Sequence, residues 1–285
     1  MYTEYTGASQ TIDLMNPGNN TGDAAGDIYI SIENIAGSNS VGTLDTLYGD
    51  DAPNQITGFA GNDYLDGRGG IDGLVGGEGA DTMAGGAGQD VLFGENGDDL
   101  IYGGAGAADP NDASDMIDAG VGNDAVYGNG GNDVVYGGTG LVDPTDAADE
   151  IYGGTGADKI YGNGGDDVIY GGSGLVDPLD VADEIYGGGG KDTLYGNGGN
   201  DLLIGGAGDD GLYGGAGADT FAFYAGEGSD AIVGFNAAEG DRIFINGQSY
   251  AAADTFGGTL LTLSGGGTIF LANIAAQDVG GGFFI

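Results

Sequence analysis

The chain has 285 residues, 45 acidic and 4 basic, with 68 glycines and neither histidine nor cysteine. A net charge of −41 repels nucleic acid and anionic membranes, and the missing His and Cys exclude disulfides, thiol nucleophiles, Ser-His-Asp triads and His-ligated metals. No apolar run approaches the roughly 18 residues that span a bilayer, and so much glycine without periodicity would leave a chain disordered.

The first 48 residues carry strand signals. Met1-Tyr2-Thr3-Glu4-Tyr5 has neither the basic start nor the apolar stretch of a cleavable export signal. Gln10-Thr11-Ile12-Asp13-Leu14 alternates, Asn16-Pro17-Gly18-Asn19-Asn20 is turn chemistry, and Asp27 to Ile35 alternates again. Asp45-Thr46-Leu47-Tyr48 reads as a degenerate copy of the unit that repeats from Gly49 onward. Residues 1–48 are expected to form an N-terminal β cap, covering strand edges that the first coil would otherwise expose.

From Gly49 to Ala222 the chain repeats Gly-Gly-x-Gly-x-Asp-x-(apolar)-x, as in Gly85-Gly86-Ala87-Gly88-Gln89-Asp90-Val91-Leu92-Phe93. Seventeen units, fourteen of nine residues and three of sixteen, tile 49–222 without a gap. The eighth position is always apolar, from Ile56 to Phe221, and the sixth is Asp in every unit but the first, which has Asn54. Strand side chains alternate, so of the last three positions only the eighth points inward. The six before it are too glycine-rich for strand or helix and read as a tight turn. Strands of about three residues cannot stand alone, so the coils must stack and bury their apolar column.

Residues 103–136, 137–170 and 171–204 form a second-order repeat of 34, each with one sixteen-residue unit. The added residues hold Asp109-Pro110, Asp143-Pro144 and Asp177-Pro178, a helix-start signal that predicts one helical turn at the edge. These loops read either as tolerated insertions or as extra ion or lateral-contact sites. At the ninth position, Tyr102, Tyr127, Tyr152, Tyr170, Tyr195 and Tyr213 fall in alternate units, with Tyr136, Tyr161 and Tyr186 in the others. They predict exposed ladders, either a stabilising stack or a flat binding face.

After Ala222 the repeat stops, and residues 223–285 are expected to form a C-terminal β cap. Asp230 to Phe235 and Asp241 to Ile245 suggest strands, and Thr259 to Leu263 with Thr268 to Leu271 a hairpin across Ser264-Gly265-Gly266-Gly267. The last residues, Asp278 to Ile285, read as an apolar closing strand or as a secretion signal.

This array resembles the RTX (repeats-in-toxin) family. The resemblance implies an all-β, right-handed parallel β-roll in which one coil is two nonamers, unit n lies over unit n+2, and calcium sits between successive turns. It also implies export by a type I system that reads an uncleaved C-terminal signal, hence a secreted or cell-surface bacterial protein. The candidate ligands are Asp63, Asp72, Asp81, Asp90, Asp99, Asp115, Asp124, Asp133, Asp149, Asp158, Asp167, Asp183, Asp192, Asp201, Asp210 and Asp219. Turn carbonyls and carboxylates are the hard oxygens that Ca²⁺ takes, six to eight per ion. Seventeen units offer at most about fifteen inter-coil sites, whose ions would reduce −41 to about −11. Without them self-repulsion and glycine entropy should keep the chain largely unfolded. Asn54, and Phe59 and Arg68 in place of the second glycine, predict weaker binding at the early end.

RTX arrays often accompany a protease, lipase or cyclase. Here nearly all carboxylates are in repeat phase, and Arg68, Lys159, Lys191 and Arg242 form no evident cluster, so no catalysis is expected. Three functions stand: a calcium-dependent structural protein that self-associates into a surface layer, filament or matrix; the secretion and folding domain of a larger protein; and an adhesin that binds extracellular glycans.

Overall fold

The computed structural model describes residues 9–25, 32–104, 113–138, 147–172 and 181–285. The three Asp-Pro loops, the expected helical turns and most of the Asp27–Ile35 strand lie outside the described residues. The chain divides into two units, Met1–Thr139 and Gly140–Ile285. Each is a parallel β-roll.

In the first unit one sheet runs in the order Thr11–Asp13, Thr46–Tyr48, Tyr64–Asp66, Thr82–Gly86, Leu100–Gly104, Ala125–Gly130. The other runs Asn34–Ala36, Gln55–Ala60, Gly73–Glu78, Val91–Asn96, Met116–Val121, Val134–Gly138. Successive units therefore alternate between sheets. Each strand pairs in parallel with the one two units on, as in Leu65 beside Met83, or across a sixteen-residue unit, as in Leu92 beside Ile117. The ladder starts before the array, because Ile12 pairs beside Leu47 and Ile35 beside Ile56.

In the second unit one sheet begins Glu150–Thr155, Val168–Gly172, Thr193–Gly198, Gly211–Ala216, Ser229–Ile232. Thr268–Ala272 adds in parallel to Ser229–Ile232, and the sheet then continues antiparallel through Gly258–Leu263 and Tyr250–Thr255. The other holds Lys159–Gly164, Glu184–Gly189, Leu202–Ala207, Thr220–Ala222 and Arg242–Phe244. The hairpin falls where expected, whereas Tyr250–Thr255 has no alternating pattern to announce it. At the end of the chain Ile285 donates its N–H to the Ile243 carbonyl, the Phe283 ring meets Phe235 at 4.8 Å, and Phe284 stacks on Tyr250 at 4.4 Å.

Every eighth-position side chain from Ile56 to Phe221 is fully buried, and Leu47, Ile232 and Ile243 extend the column. Many strands run six residues rather than three, because the glycines opening the next unit stay paired, as in Thr193-Leu194-Tyr195-Gly196-Asn197-Gly198. Glycine carries no inward or outward signal, so its strand membership is invisible to a period-two reading. The tyrosine ladders form but are half-buried, since each ring covers the next. Tyr102 stacks on Tyr127 at 5.1 Å in the first unit. In the second, Tyr152, Tyr170, Tyr195 and Tyr213 stack at 4.7 to 4.8 Å, and Tyr161 on Tyr186 at 4.8 Å.

Candidate metal centre

The turn is built by glycine for two separate reasons. At Gly79 the backbone has φ +126°, and a β-carbon would collide with the Gly61 carbonyl of the preceding coil. At Gly58 the conformation is ordinary but the space is taken. A β-carbon there would lie 2.6 Å from Asp63 Oδ2 and 2.8 Å from the Gly76 carbonyl oxygen. From the second unit on, the second position also takes positive φ, and its non-glycine occupants comply: Phe59 at 79°, Arg68 at 72°, Glu95 at 74° and Asn129, Asn163 and Asn197 at 71° to 74°. Asn tolerates this region better than Phe, Arg or Glu, because its short polar side chain bonds locally. Asn129 and Asn197 do so, each donating Nδ2–H to a carbonyl of the coil before, at Gly104 and Gly172.

All sixteen candidate aspartates are buried, at 1 to 3% exposure, and they line up in columns. In the first unit one column is Asp63, Asp81, Asp99 and Asp124, each accepting on Oδ1 the main-chain N–H of the residue one coil earlier, beginning with Asp45, at 2.7 to 2.8 Å. The other is Asp72, Asp90, Asp115 and Asp133, beginning from Asn54, at 2.7 to 2.9 Å. In the second unit Asp149 donates to Asp167, and the chain of contacts runs on through Asp192 and Asp210 to Asp230. Asp158, Asp183, Asp201 and Asp219 do the same and end on Asp241.

The other carboxylate oxygen decides what the columns can hold. Oδ2 of Asp63, Asp72, Asp81, Asp90 and Asp99, and of Asp192, Asp210 and Asp219, is buried and accepts no hydrogen bond. For six of these, from Asp63 to Asp99 and at Asp192, a main-chain carbonyl sits beside that oxygen, as Gly76 does for Asp63 and Gly103 for Asp90. Two acceptors facing one buried spot, with no donor between them, are unfavourable unless a cation lies there. Burial, with neighbouring carboxylates adding, pushes Asp63 up to about 6, Asp72 and Asp81 to about 7, and Asp99 to about 8. Burial likewise raises Asp192 to about 7 and Asp219 to about 6. Among the described residues no three acidic side chains gather into a metal cluster. The remaining donors must therefore be turn carbonyls, a set of hard oxygens that fits Ca²⁺ and supplies nothing soft.

Three column members lie outside the nonamers: Asp45, Asp230 and Asp241, at 0%, 5% and 3% exposure. The triplet Asp-x-aliphatic marks each one, in Asp45-Thr46-Leu47, Asp230-Ala231-Ile232 and Asp241-Arg242-Ile243. Asp45 and Asp241 lack the full glycine prefix, and Asp230 follows Gly226 and Gly228 but is out of phase with the array. A second ladder at the fifth position also carries no sequence signal of its own. Asn62, Asp98, Asp166, Asn200 and Asp209 each accept a main-chain N–H from the next coil. At the early end Asn54 accepts the Asp50 N–H and adds no charge, and Arg68 turns its guanidinium to Asp13 Oδ1 and the Gly49 carbonyl at 2.9 and 2.8 Å.

The model of the RTX calcium-binding nonapeptide repeat matches residues 42–74, 75–107, 109–140, 144–174 and 182–221. Among solved structures, the AlgE6R3 subunit of the Azotobacter vinelandii mannuronan C5-epimerase is similar at 32% identity, over 46% of this chain and 80% of that one, with a TM-score of 0.34. The extracellular lipase LipA from Serratia marcescens is 18% identical over 86% of this chain, with a TM-score of 0.30, and the match spans 40% of the lipase. No curated protein matches the chain.

Proposed function

The chain belongs to the RTX calcium-binding nonapeptide repeat family, and from that premise we propose that it is a secreted structural protein whose roll forms as calcium enters the aspartate columns and whose copies then associate. RTX repeats bind calcium and are typical of secreted bacterial proteins. No helix among the described residues is long and apolar enough to cross a membrane. The observation that carries the reading is the row of buried Oδ2 atoms with no donor to answer them, six of them, from Asp63 to Asp99 and at Asp192, set against a main-chain carbonyl. In the roll these side chains would hold the ion, the glycines admit it by having no β-carbon, and burial excludes competing water.

Self-association is supported by the charge and by the tyrosines. An ion in each loop cancels most of −41 and removes the main barrier between copies. The stacked rings turn their faces to one another and leave only edges outward, which suits a stiffening stack better than a platform for sugar rings. The chain is proposed to have no catalytic activity, since it lacks His and Cys and commits nearly all its buried carboxylates to the columns. Light scattering during a calcium titration tests the proposal: growth above the monomer supports it, and a monomer at saturating calcium removes it.

A further inference from the structure

The outermost strand of its sheet in the second unit, Tyr250–Thr255, is exposed at all six residues. Its inner side pairs antiparallel with Gly258–Leu263. Ser264 donates its N–H to the Ser249 carbonyl at 2.8 Å, so by alternation residues 251, 253 and 255 bond inward. The main-chain groups of Tyr250, Ala252 and Asp254 therefore face outward along the open edge.

Native edges are blunted by lysine, proline, bulges or inward charge. This one has no lysine, proline or bulge, and its single charge, Asp254, is engaged by the chain's own Ala276 N–H. Tyr250-Ala251-Ala252-Ala253-Asp254-Thr255 is regular, three of its side chains are methyl groups, and the hairpin tip beside it carries the fully exposed Phe256. Its ends are held in place. The Tyr250 ring stacks on Phe284 at 4.4 Å, and Asp254 Oδ1 accepts the Ala276 N–H at 2.7 Å.

Charge identifies the occupant. Residues 246–277 contain one charged side chain, Asp254, in a chain of net charge −41. Elsewhere the second unit presents exposed acids such as Glu150, Asp166, Glu184, Asp209 and Glu239, which repel another copy and would attract a basic partner. The neutral edge offers a basic partner nothing, but two copies can meet on it without like charges opposed. We propose that Tyr250–Thr255 pairs antiparallel with the same strand of a second copy, about a two-fold axis through Ala252. That register sets Ala252 against Ala252 and Tyr250 against Asp254, giving about six main-chain hydrogen bonds, two per facing pair. The contact is isologous and closes at two copies, so it names the first step of the self-association proposed above and rests on that reading.

Sedimentation velocity in excess calcium tests it with Ala252→Pro. Proline at 252 removes an outward N–H and none of the inner ladder, so calcium-induced circular dichroism stays as in the wild type while dimerisation weakens roughly tenfold or more. Because the chain has no cysteine, Ala252→Cys supplies a second readout. Directly paired residues sit about 5.5 Å apart, within disulfide reach, so oxidation should cross-link this variant and not the exposed Val41→Cys control. Wild-type association with equal association of Ala252→Pro, or no cross-link at 252, overturns the edge contact and leaves self-association standing. A wild type that stays monomeric overturns both.

Discussion

Asp13 and Asp99 lie in the same unit, equally buried, and the protein treats them in opposite ways. Asp13 is enclosed by donors: Met15 and Asn16 N–H and Arg68 on Oδ1, and Asn19 on Oδ2, with Arg68 also over the Tyr48 ring at 5.0 Å. Burial alone would raise its carboxyl, but the hydrogen bonds and charge of Arg68, with those from Asn19 and Asn16, hold it at about 2. Asp99 accepts one N–H, on Oδ1, and keeps Oδ2 bare. Burial, with Asp124, Asp81 and Asp98 beside it, pushes it to about 8. A buried carboxylate needs a compensating positive charge. At the early end the chain supplies its own, and along the columns it must take one from solution.

The widest way to sharpen that contrast is pH, because every column titrates together. In chelator, folded values of about 6 to 8 lie above the 3.8 of an unfolded aspartate, so the metal-free roll binds extra protons. That stability is complete below 3.8 and is lost as pH rises through 6 to 8. Asp13 has the opposite sign, its contribution being present above 3.8 and lost as pH falls toward 2. Circular dichroism of the chelated chain should show strand at about pH 5 that disappears by about pH 8.

Next in size is Asp99→Asn. With calcium it should cost about 3 to 5 kcal/mol, since an ion is left without its carboxylate. In chelator at about pH 5, where the metal-free roll keeps its strands, it should stabilise, because folding no longer has to protonate a buried carboxylate. Urea denaturation with and without calcium reads the reversal of sign. A loss of equal size in both conditions would mean the carboxylate has no metal role.

Arg68→Met should cost about 2 to 4 kcal/mol by stranding Asp13, and the loss should be the same with calcium and in chelator at about pH 5. A loss that vanished on chelation would make the pair dependent on the columns. The smallest effect belongs to Glu95, held at φ 74°. Glu95→Gly should gain up to about 1 kcal/mol in the calcium-loaded roll, with urea midpoints as the measure.

The same contrast explains what could be read in the sequence. The column aspartates and the apolar core repeat in phase, so seventeen weak signals add up, and the alternation of units between sheets follows from the family resemblance. Arg68 and Asp13 are 55 residues apart and belong to no repeat, so nothing local announces their pairing. Asp45 and Asp241 kept the Asp-x-aliphatic triplet but lost most of the glycines that make a nonamer conspicuous, whereas Asp230 kept Gly226 and Gly228 but falls out of phase with the array. The edge strand at Tyr250–Thr255 hides for another reason: three alanines have neither an inward nor an outward preference.

Far-UV circular dichroism at about pH 8, recorded as calcium is added back to fully chelated protein, tests most directly whether imported cations close the columns. Strand signal should be nearly absent in chelator and rise cooperatively with added calcium. A full strand spectrum before any calcium is present would contradict the account.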